Sequence, residues 1–380
     1  MKLLSTITYY SPYMSGLTLY AKRLTERLAA TGIKNKILTM RHDRKLPVRE
    51  LINGVEIVRS RPLWAVSKGF ISLDFIFKSL TCCLWADVIL VNLPEFEGIA
   101  AAFFGKIFGK KVIAVYHCEV ILPDSFANKL IQSFLNFSNW LTLYLSETII
   151  TYTDDFADHS RLLSSFRQKV KVIYPPVERL KVNKRTQKII QDKIGRPKPV
   201  LIGIAARLAA EKGVEYALEA IPIIAEKLKN KPFKIIIAGP LSPIGEVNYK
   251  QKILNLARQY KASVVFLGEI KAEDMGSFYS LLDVLVLPSV NSTEAFGMVQ
   301  VEAMMMGVPV VASDLPGVRV PIKKTGMGII VPVANSQKLA EAIAKILLNK
   351  KINISKNDVA RKEFDIHKTL DFYQQLILKR

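Results

Sequence analysis

The chain has 380 residues, of which 50% are hydrophobic and 23% are charged, and its formal net charge is +21 at pH 7. This composition is ordinary for a globular protein, and the length predicts about two domains. The three cysteines include the adjacent pair Cys82 and Cys83, which argues against a disulfide framework. The N-terminus enters a strand-like stretch without a secretory leader, so we expect a cytoplasmic protein.

The basic charge predicts an anionic partner, for which nucleic acid, the inner face of a membrane and phosphorylated small molecules are the candidates. Basic residues are denser at 34–49 and 181–198. No stretch interleaves aromatic and basic residues as nucleic-acid modules do, so we expect no nucleic-acid partner. A diffusely basic surface without a specific partner remains the alternative.

In the first half of the chain, short runs rich in Val and Ile alternate with longer stretches of helical period. Runs without polar alternation are typical of strands that are buried on both faces. A helix is predicted at 17–30. The predicted strands lie at residues 2–8, 36–40, 88–92, 111–117, 148–152 and 170–174.

The stretch 130–146 has the period of an amphipathic helix. Leu130, Phe134, Phe137, Leu141 and Leu145 recur at helical spacing, and polar residues share another face. A membrane-spanning helix needs about 20 mostly apolar residues, so we expect no transmembrane segment here. The protein core is the expected partner of the apolar face, and a bilayer is the alternative.

The same alternation is found in the second half. Helices are predicted at 213–229, 247–260, 296–306 and 336–348, and strands at 200–205, 233–238, 264–267, 284–287, 310–312 and 328–331. Repeated strand–helix–strand units indicate two Rossmann-like domains with doubly wound parallel sheets. We predict an N-terminal domain at 1–177, a linker at 178–198 and a C-terminal domain at 199–363. A last helix, about 364–380, packs back on the first domain.

Ligands of open parallel sheets bind outside the carboxyl ends of the strands. After the predicted strand 200–205, the segment ARLAAEKG places Arg207 and Lys212 at such an end, followed by Gly213. Two cations there suit a pyrophosphate. A basic loop before an ordinary helix is the alternative.

After the predicted strand 284–287, the segment PSVNSTEAFG leads into a helix. Its first free amides belong to residues near Ala295, Phe296, Gly297 and Met298, and such amides suit phosphate and sugar oxygens. Glu294 can accept hydrogen bonds from hydroxyl groups. Glu302, about two turns later, can accept both O–H groups of a ribose diol. Alternatively, Glu294 is a plain N-terminal helix acid and Glu302 a solvated one.

Together these residues resemble the family 4 glycosyltransferases of the GT-B fold. Their C-terminal domain carries an Arg, a Lys-Gly and then a Glu-(seven residues)-Glu motif, which match Arg207, Lys212-Gly213, Glu294 and Glu302 here. The segments FLGEI at 266–270, with Gly268 and Ile270, and MGVPVVASDLPG at 306–317 also match in kind and order. The resemblance implies an α/β GT-B fold with an acceptor-binding N-terminal domain and a nucleotide-sugar-binding C-terminal domain. It also implies donor binding by Arg207, Lys212, Gly268, Ile270, Glu294, Ala295, Phe296, Gly297, Met298 and Glu302.

The first half resembles the family more loosely. The segment at 9–28 looks like the family's first strand–loop–helix, in which Gly16 would let the donor phosphate meet a helix N-terminus. The segment VIAVYHCEV places His117 at a strand end, where the family often has a histidine near the transferred sugar. A buried structural histidine is the alternative.

The resemblance implies a retaining hexosyltransferase that moves a sugar from a nucleotide diphosphate-sugar to an acceptor hydroxyl, with catalytic residues His117, Arg207, Lys212 and Glu294. The donor is a substrate, so no cofactor is expected, and no metal site is expected because no Asp-x-Asp cluster stands at a strand end. We further expect a carbohydrate or lipid-linked acceptor and a role in cell-envelope glycan or glycolipid synthesis. We also expect association with the inner face of an anionic membrane. A GT-B nucleotide-sugar epimerase and a non-enzymatic basic membrane-binding protein are the alternatives. No sequence feature predicts the donor base, the donor sugar, the acceptor, the linkage formed or the oligomeric state.

Overall fold

A computed structural model describes residues 1–66, 69–195, 199–229, 231–243, 245–349 and 357–379. The chain divides into two units, of which unit 1 comprises Met1–Pro176 with Ile366–Arg380, and unit 2 comprises Val177–Asp365. Residues 196–198 of the predicted linker and residue 380 of the predicted last helix lie outside the described residues. Among the described residues, no helix combines the length and the hydrophobicity that crossing a bilayer requires.

Unit 1 is built on a mostly parallel sheet in the order β10-β9-β8-β7-β1-β2-β4-β3, in which only β3 pairs antiparallel. Its main strands are apolar and β-branched, as in β7, where all six residues are buried. The strands are β1 (Lys2–Ile7), β2 (Lys34–Met40), β3 (Arg49–Ile52), β4 (Val55–Ser60), the separate hairpin β5 (Trp64–Val66) with β6 (Gly69–Ile71), β7 (Val88–Leu93), β8 (Lys111–Tyr116), β9 (Thr148–Thr151) and β10 (Val170–Val172).

Four helices of unit 1 begin at a side-chain cap. Ser15, Ser72, Ser125 and Thr153 each accept a hydrogen bond from an amide three residues later, which satisfies one free N–H of the first turn. The helices are α1 (Gly16–Ala30), α2 (Leu73–Trp85), α3 (Gly98–Ile107), α4 (Phe126–Leu145) and α5 (Asp154–His159), with a 3₁₀ segment at Leu163–Lys169.

Helix α4 confirms the amphipathic helix predicted at 130–146 but reverses its orientation. Its buried residues include Ser138, Asn139 and Thr142, whereas Phe134 and Phe137 are 69% and 61% exposed. The expectation that the aromatic face packs in the core is therefore wrong. The buried side of α4 carries Leu135 and Leu143 together with Ser138, Asn139 and Thr142. Its polar groups find partners, as when the Ser138 hydroxyl donates to the Phe96 carbonyl oxygen at 2.8 Å.

Unit 2 is built on a parallel sheet in the order β13-β12-β11-β14-β15-β16. A core cluster lies against this sheet, in which Ile202, Ile235 and Val284 of the strands pack with helix residues such as Ile343. The strands are β11 (Val200–Ala205), β12 (Phe233–Ala238), β13 (Val264–Gly268), β14 (Val284–Leu287), β15 (Val310–Ser313) and β16 (Gly328–Val331). All twelve strands predicted from the sequence are confirmed.

The helices of unit 2 are α6 (Lys184–Ile194), α7 (Val214–Glu219), α8 (Ile221–Lys227), α9 (Val247–Gln259), α10 (Met275–Tyr279), α11 (Met298–Met305), α12 (Val320–Thr325), α13 (Ser336–Leu348) and α14 (Asn357–Glu363), with 3₁₀ turns at Ala210–Lys212 and Ala272–Asp274. The single helix predicted at 213–229 is wrong. The structure has α7 and α8 there, because Pro222 lies in the first turn of α8 and cannot continue a preceding helix.

The remaining helix, α15 (Ile366–Leu378), belongs to unit 1. Its Tyr373 hydroxyl is hydrogen-bonded to the hydroxyl of Tyr20 on α1, and both side chains are buried. The Thr369 hydroxyl donates to the Tyr174 carbonyl at 3.0 Å. The segment predicted as a linker contains α6, whose cap residue Asn183 accepts hydrogen bonds from two amides of the first turn.

We predict that Gly239→Ala destabilises the protein by roughly 2–4 kcal/mol. Gly239 has a φ of +146°, and an added Cβ would lie 2.2 Å from the carbonyl oxygen of Ala206, a backbone atom that cannot rotate away. Gly268→Ala is the matched control in the same unit, because Gly268 has a φ of +78° with no atom within 4 Å of its Cβ position. The control should cost about 1 kcal/mol. Equal shifts of the urea unfolding midpoint in the two variants would contradict the steric argument.

Candidate functional site

The order in which successive strands join the sheet of unit 2 reverses between β11 and β14. Strands β12 and β13 continue the sheet on one side of β11, while β15 and β16 continue it on the other side of β14. This is the topological switch point, and the crevice beyond its carboxyl edge is where open α/β sheets bind ligands. The loops after β11 and β14, residues 206–213 and 288–297, therefore form the candidate site.

These two loops are in direct contact. Gly213 has a φ of +60°, and a Cβ there would lie 2.2 Å from the carbonyl oxygen of Pro288. The Val290 amide donates to the Glu211 carbonyl at 3.0 Å. Only glycine permits this approach at position 213. The two loops therefore pack directly against each other, and they carry the side chains of the candidate site.

The two predicted cations lie in this site, and each is paired with a carboxylate. Arg207 Nη2 lies 2.6 Å from Glu211 Oε1, and Lys212 Nζ lies 2.7 Å from Glu294 Oε2. All four side chains are at most 23% exposed, so solvent screens these pairs less than pairs on an open surface. The structure brings Lys212 and Glu294 together across the crevice. Because of this contact, Glu294 is not simply an acid at a helix N-terminus.

The helix after the second loop begins later than predicted. Helix α11 starts at Met298, with Gly297 as its cap at a φ of +77°. Ala295 and Phe296 precede the helix and are buried, so the expectation that their amides open the helix is wrong. The reason is the left-handed conformation of Gly297, which no helical residue adopts. The first-turn amides belong to Met298 and Val299 instead.

Glu302 is buried on α11 and does not face solvent. It is 3% exposed, and its Oε2 accepts a hydrogen bond of 2.8 Å from the hydroxyl of Tyr279 on α10. The alternative of a solvated helix acid is therefore wrong. Tyr279 fixes the orientation of the carboxylate, a role that the sequence analysis missed because the tyrosine stands in an otherwise ordinary apolar helix.

Gln300 is a second residue that the sequence analysis missed. Its side chain is buried, and Nε2 donates to the carbonyl oxygens of Phe296 and Val318, at 2.5 and 2.9 Å. It thereby ties the start of α11 to the turn after β15. A polar residue inside the apolar run MVQVEAMM was the available signal.

The predicted residues Gly268 and Ile270 lie at the carboxyl end of β13. Gly268 ends the strand, and its carbonyl oxygen accepts a hydrogen bond of 2.9 Å from the amide of Gly239. Ile270 is half-buried. Strands β12 and β11 separate these residues from the switch point, so they lie at the same edge of the sheet but not in the two loops in contact.

Gly16 and His117 belong to unit 1. Gly16 is the first residue of α1, and the hydroxyl of the preceding Ser15 accepts a hydrogen bond of 3.1 Å from the Thr18 amide. One amide of this helix N-terminus is therefore already satisfied.

His117 directly follows β8, as predicted, and it is 1% exposed. Asn92 Nδ2 donates to the Ser5 hydroxyl and the Thr6 carbonyl, so Asn92 Oδ1 accepts from His117 Nε2–H at 2.9 Å. Nδ1 then accepts from the Tyr152 hydroxyl. Burial lowers the pKa of His117 to about 3. The imidazole is therefore neutral at physiological pH, and its catalytic role stays a prediction.

Two family models cover most of the chain. The model described as Glycosyltransferase Family 4 matches residues 14–179, and the model described as Glycosyl transferases group 1 matches residues 186–362.

Among the described residues, no group of three or more His, Cys, Asp or Glu side chains could hold a metal ion.

The chain is similar to an uncharacterized glycosyltransferase of Methanocaldococcus jannaschii, with 27% identity over 91% of this chain and 89% of the relative. It is 25% identical to a D-rhamnosyltransferase of Pseudomonas aeruginosa over 81% of this chain and 76% of that protein. The fold matches that of Anabaena HepE in complex with UDP and glucose, with a TM-score of 0.78, 19% identity and full coverage of both chains. The chain belongs to the family 4-like glycosyltransferases of the GT-B fold.

Proposed function

We propose that this glycosyltransferase moves a hexosyl group from a nucleotide diphosphate-sugar to an acceptor hydroxyl, with retention of the anomeric configuration. The observation that carries the proposal is the pair of cations, Arg207 and Lys212, at the switch point of unit 2. HepE, which shares the fold, was solved with UDP and glucose, which supports a nucleotide-sugar donor. Both family models describe glycosyltransferases, and this favours transfer over epimerisation and over a non-enzymatic role.

In this proposal the diphosphate replaces the carboxylates as the partner of the two cations. Arg207 and Lys212 are each held by one carboxylate, so their positions would be set before the donor binds. A diphosphate carries more negative charge than a single carboxylate and accepts hydrogen bonds from both cations. As the glycosidic bond to the diphosphate breaks, preorganised cations stabilise the charge that develops on the leaving group.

The same exchange would release Glu294 from Lys212. Its carboxylate could then accept hydrogen bonds from hydroxyls of the transferred sugar. Glu302, oriented by Tyr279, would accept from the ribose hydroxyls, and the backbone from Ala295 to Met298, with Gly16, Gly268 and Ile270, would line the rest of the donor site. His117 would lie near the sugar as a neutral hydrogen-bonding group. We propose that no metal ion is required, since cationic side chains neutralise the diphosphate.

We further propose that the reaction takes place at the cytoplasmic face of an anionic membrane. The proposed acceptor is linked to a lipid and serves the synthesis of envelope glycans. Helix α3 packs between α2 and α4, and these three helices form what we call the apolar face. Phe77, Phe103, Phe134 and Phe137 on it are 50% to 70% exposed, which amounts to on the order of 500 Å². An apolar patch of this size is within the range of the largest patch on a typical monomer, and such patches are often functional. The basic net charge supports attraction to anionic lipids.

A donor screen tests the proposed activity. The full-length protein is incubated with a panel of uridine, guanosine and adenosine diphosphate sugars, and nucleoside diphosphate release and product are measured. We expect release from at least one donor, accompanied by a new glycoside whose anomeric configuration matches that of the donor. An inverted product would contradict retention, and no release from any donor would contradict the activity.

Arg207→Ala and Lys212→Ala should each lower kcat by about a hundredfold or more, because each removes ~3 kcal/mol of leaving-group stabilisation. Lys338→Ala is the control, since Lys338 is an exposed cation of unit 2 paired with Glu341 outside the crevice. Steady-state kinetics with the active donor measure the effect. A kcat near that of the wild type in either crevice variant would refute the role of that residue.

The membrane proposal predicts that the protein pellets with anionic vesicles at low salt, pellets less at moderate salt, and pellets least with neutral vesicles. The double variant Phe77→Asn/Phe134→Asn should lose most of the vesicle-bound fraction, because it removes two inserted rings. Val247→Asn is the control, as Val247 is 78% exposed in unit 2. Equal and negligible pelleting of the wild type with both lipids would refute membrane association.

A further inference from the structure

The mostly apolar helix α11 carries a glutamine that is fully buried. Gln300 is 0% exposed, and its neighbours along the helix, such as Val301 and Met304, are buried and apolar. Gln300 Nε2 donates to the carbonyl oxygens of Phe296 and Val318 at 2.5 and 2.9 Å. Its Oε1 atom is buried without a hydrogen-bond partner among the described residues. Native proteins rarely leave a buried polar atom unsatisfied, so this glutamine calls for an explanation.

The two acceptors determine the orientation of the Gln300 amide. Exchanging Nε2 and Oε1 would place an oxygen without a hydrogen against two carbonyl oxygens, which would repel it. An apolar side chain such as leucine would avoid the unsatisfied oxygen, which costs stability. A glutamine at this position is therefore explained by the two N–H donors that it supplies, since an apolar residue would fill the same space at a lower cost.

The side chain of Gln300 supplies a donor that the backbone of α11 does not. In a regular helix the amide of residue 300 would donate to the carbonyl of residue 296, four residues earlier. Here the Gln300 amide donates to the Gly297 carbonyl at 3.0 Å, because Gly297 adopts a left-handed φ of +77°. The Phe296 carbonyl therefore lies outside the hydrogen-bond pattern of the helix, and Gln300 Nε2 takes the place of the backbone donor.

Other side chains hold the same short segment, residues 295–297. The ring of Phe296 is 1% exposed and lies edge-on to the ring of Phe364, with the centroids 5.8 Å apart. A Cβ at Gly297 would lie 2.5 Å from Leu287 Cδ2 and 3.0 Å from Gln300 Nε2. Gln300 thus contacts the segment at both the Phe296 carbonyl and the Gly297 backbone.

The segment that Gln300 holds belongs to the candidate site. It directly follows Glu294, which contacts Lys212 at 2.7 Å, and it directly precedes the first-turn amides of α11. Groups that bind a ligand must keep their positions to within about 0.5 Å, which requires supporting contacts behind them. Gln300 provides such a contact from the buried side of the segment, and through Val318 it also connects the segment to the turn between β15 and α12.

We propose that Gln300 is a positioning residue for donor binding, because its two N–H groups hold the Phe296 and Val318 carbonyls and thereby fix the segment 295–297. The proposal rests on the proposed function and deepens it, since it names the side chain that keeps this part of the donor site in its binding conformation.

The first test measures nucleoside diphosphate binding by the full-length protein. UDP, GDP and ADP are titrated by calorimetry, and the one that binds the wild type most tightly is used for the variants. Gln300→Leu removes both N–H donors with little change in volume, and we expect it to weaken binding about tenfold or more, as misplacement of binding groups does. Gln337→Leu is the matched control, because Gln337 is an exposed glutamine of unit 2 on α13. The control should bind like the wild type.

The second test uses pH and the variant Gln300→Glu. A carboxyl group donates to a carbonyl oxygen only when it is protonated, and burial raises the pKa of such a group. We expect the ratio of the variant's Kd to the wild-type Kd to rise about tenfold or more from pH 5.5 to pH 8, because the carboxylate repels both carbonyls and displaces the segment. Gln337→Glu should show a ratio that does not change with pH.

A purely structural role would give different results. Titrations are made at a temperature at which circular dichroism shows each variant to be folded, so a loss of stability alone leaves Kd unchanged. Binding that is unchanged in Gln300→Leu, or a ratio for Gln300→Glu that does not rise with pH, would overturn the proposal. If one of these variants does not fold, the other carries the test.

Failure of this proposal is distinguishable from failure of the proposed function. No binding of UDP, GDP or ADP by the wild type would overturn the proposed donor site, and the role of Gln300 with it. Binding by the wild type that the Gln300 variants retain in full would overturn only the role of Gln300.

Discussion

The contact between the loops that follow β11 and β14 is the feature on which the candidate site of unit 2 depends. Gly213 lies against the Pro288 carbonyl, and the Val290 amide donates to Glu211. Because of this contact, Lys212 on one loop reaches Glu294 on the other at 2.7 Å. The segment between β12 and α9 also contacts the first loop, because Glu246 Oε2 accepts a hydrogen bond of 3.2 Å from the Ala210 amide. Cations on a loop fixed at both sides need little reorganisation when an anion binds.

Pairing each cation with a carboxylate resolves a conflict within the site. Two unpaired cations on one loop would repel each other, and partial burial strengthens such repulsion. Glu211 and Glu294 offset these charges at contacts of 2.6 and 2.7 Å.

The sequence predicted the sheets well because parallel strands buried on both faces are uniform apolar runs. It missed the antiparallel hairpin of β3 and β4, although Asn53 and Gly54 both adopt positive φ there and Asn-Gly is a strong hairpin signal. It also missed the break between α7 and α8 at Pro222. The orientation of α4 could not be predicted, because hydrophobic periodicity identifies an apolar face without identifying what that face contacts.

For the site, local motifs predicted which residues lie at the carboxyl edges but not how they pair. Arg207, Lys212 and Glu294 were found from their positions after strands, whereas the ion pairs depend on the tertiary contact of two loops distant in sequence. Tyr279 and Gln300 were missed for a similar reason. Their significance lies in burial and in hydrogen-bond partners, present or absent, which a single sequence does not display.

The most direct test of the account is a crystal structure of the protein with a bound nucleoside diphosphate. The account predicts that the diphosphate lies at the switch point of unit 2, with its oxygens within hydrogen-bonding distance of the Arg207 guanidinium and the Lys212 ammonium, and that the Lys212–Glu294 contact is broken. A diphosphate bound elsewhere on the chain, or bound at the crevice with both ion pairs intact, would contradict it.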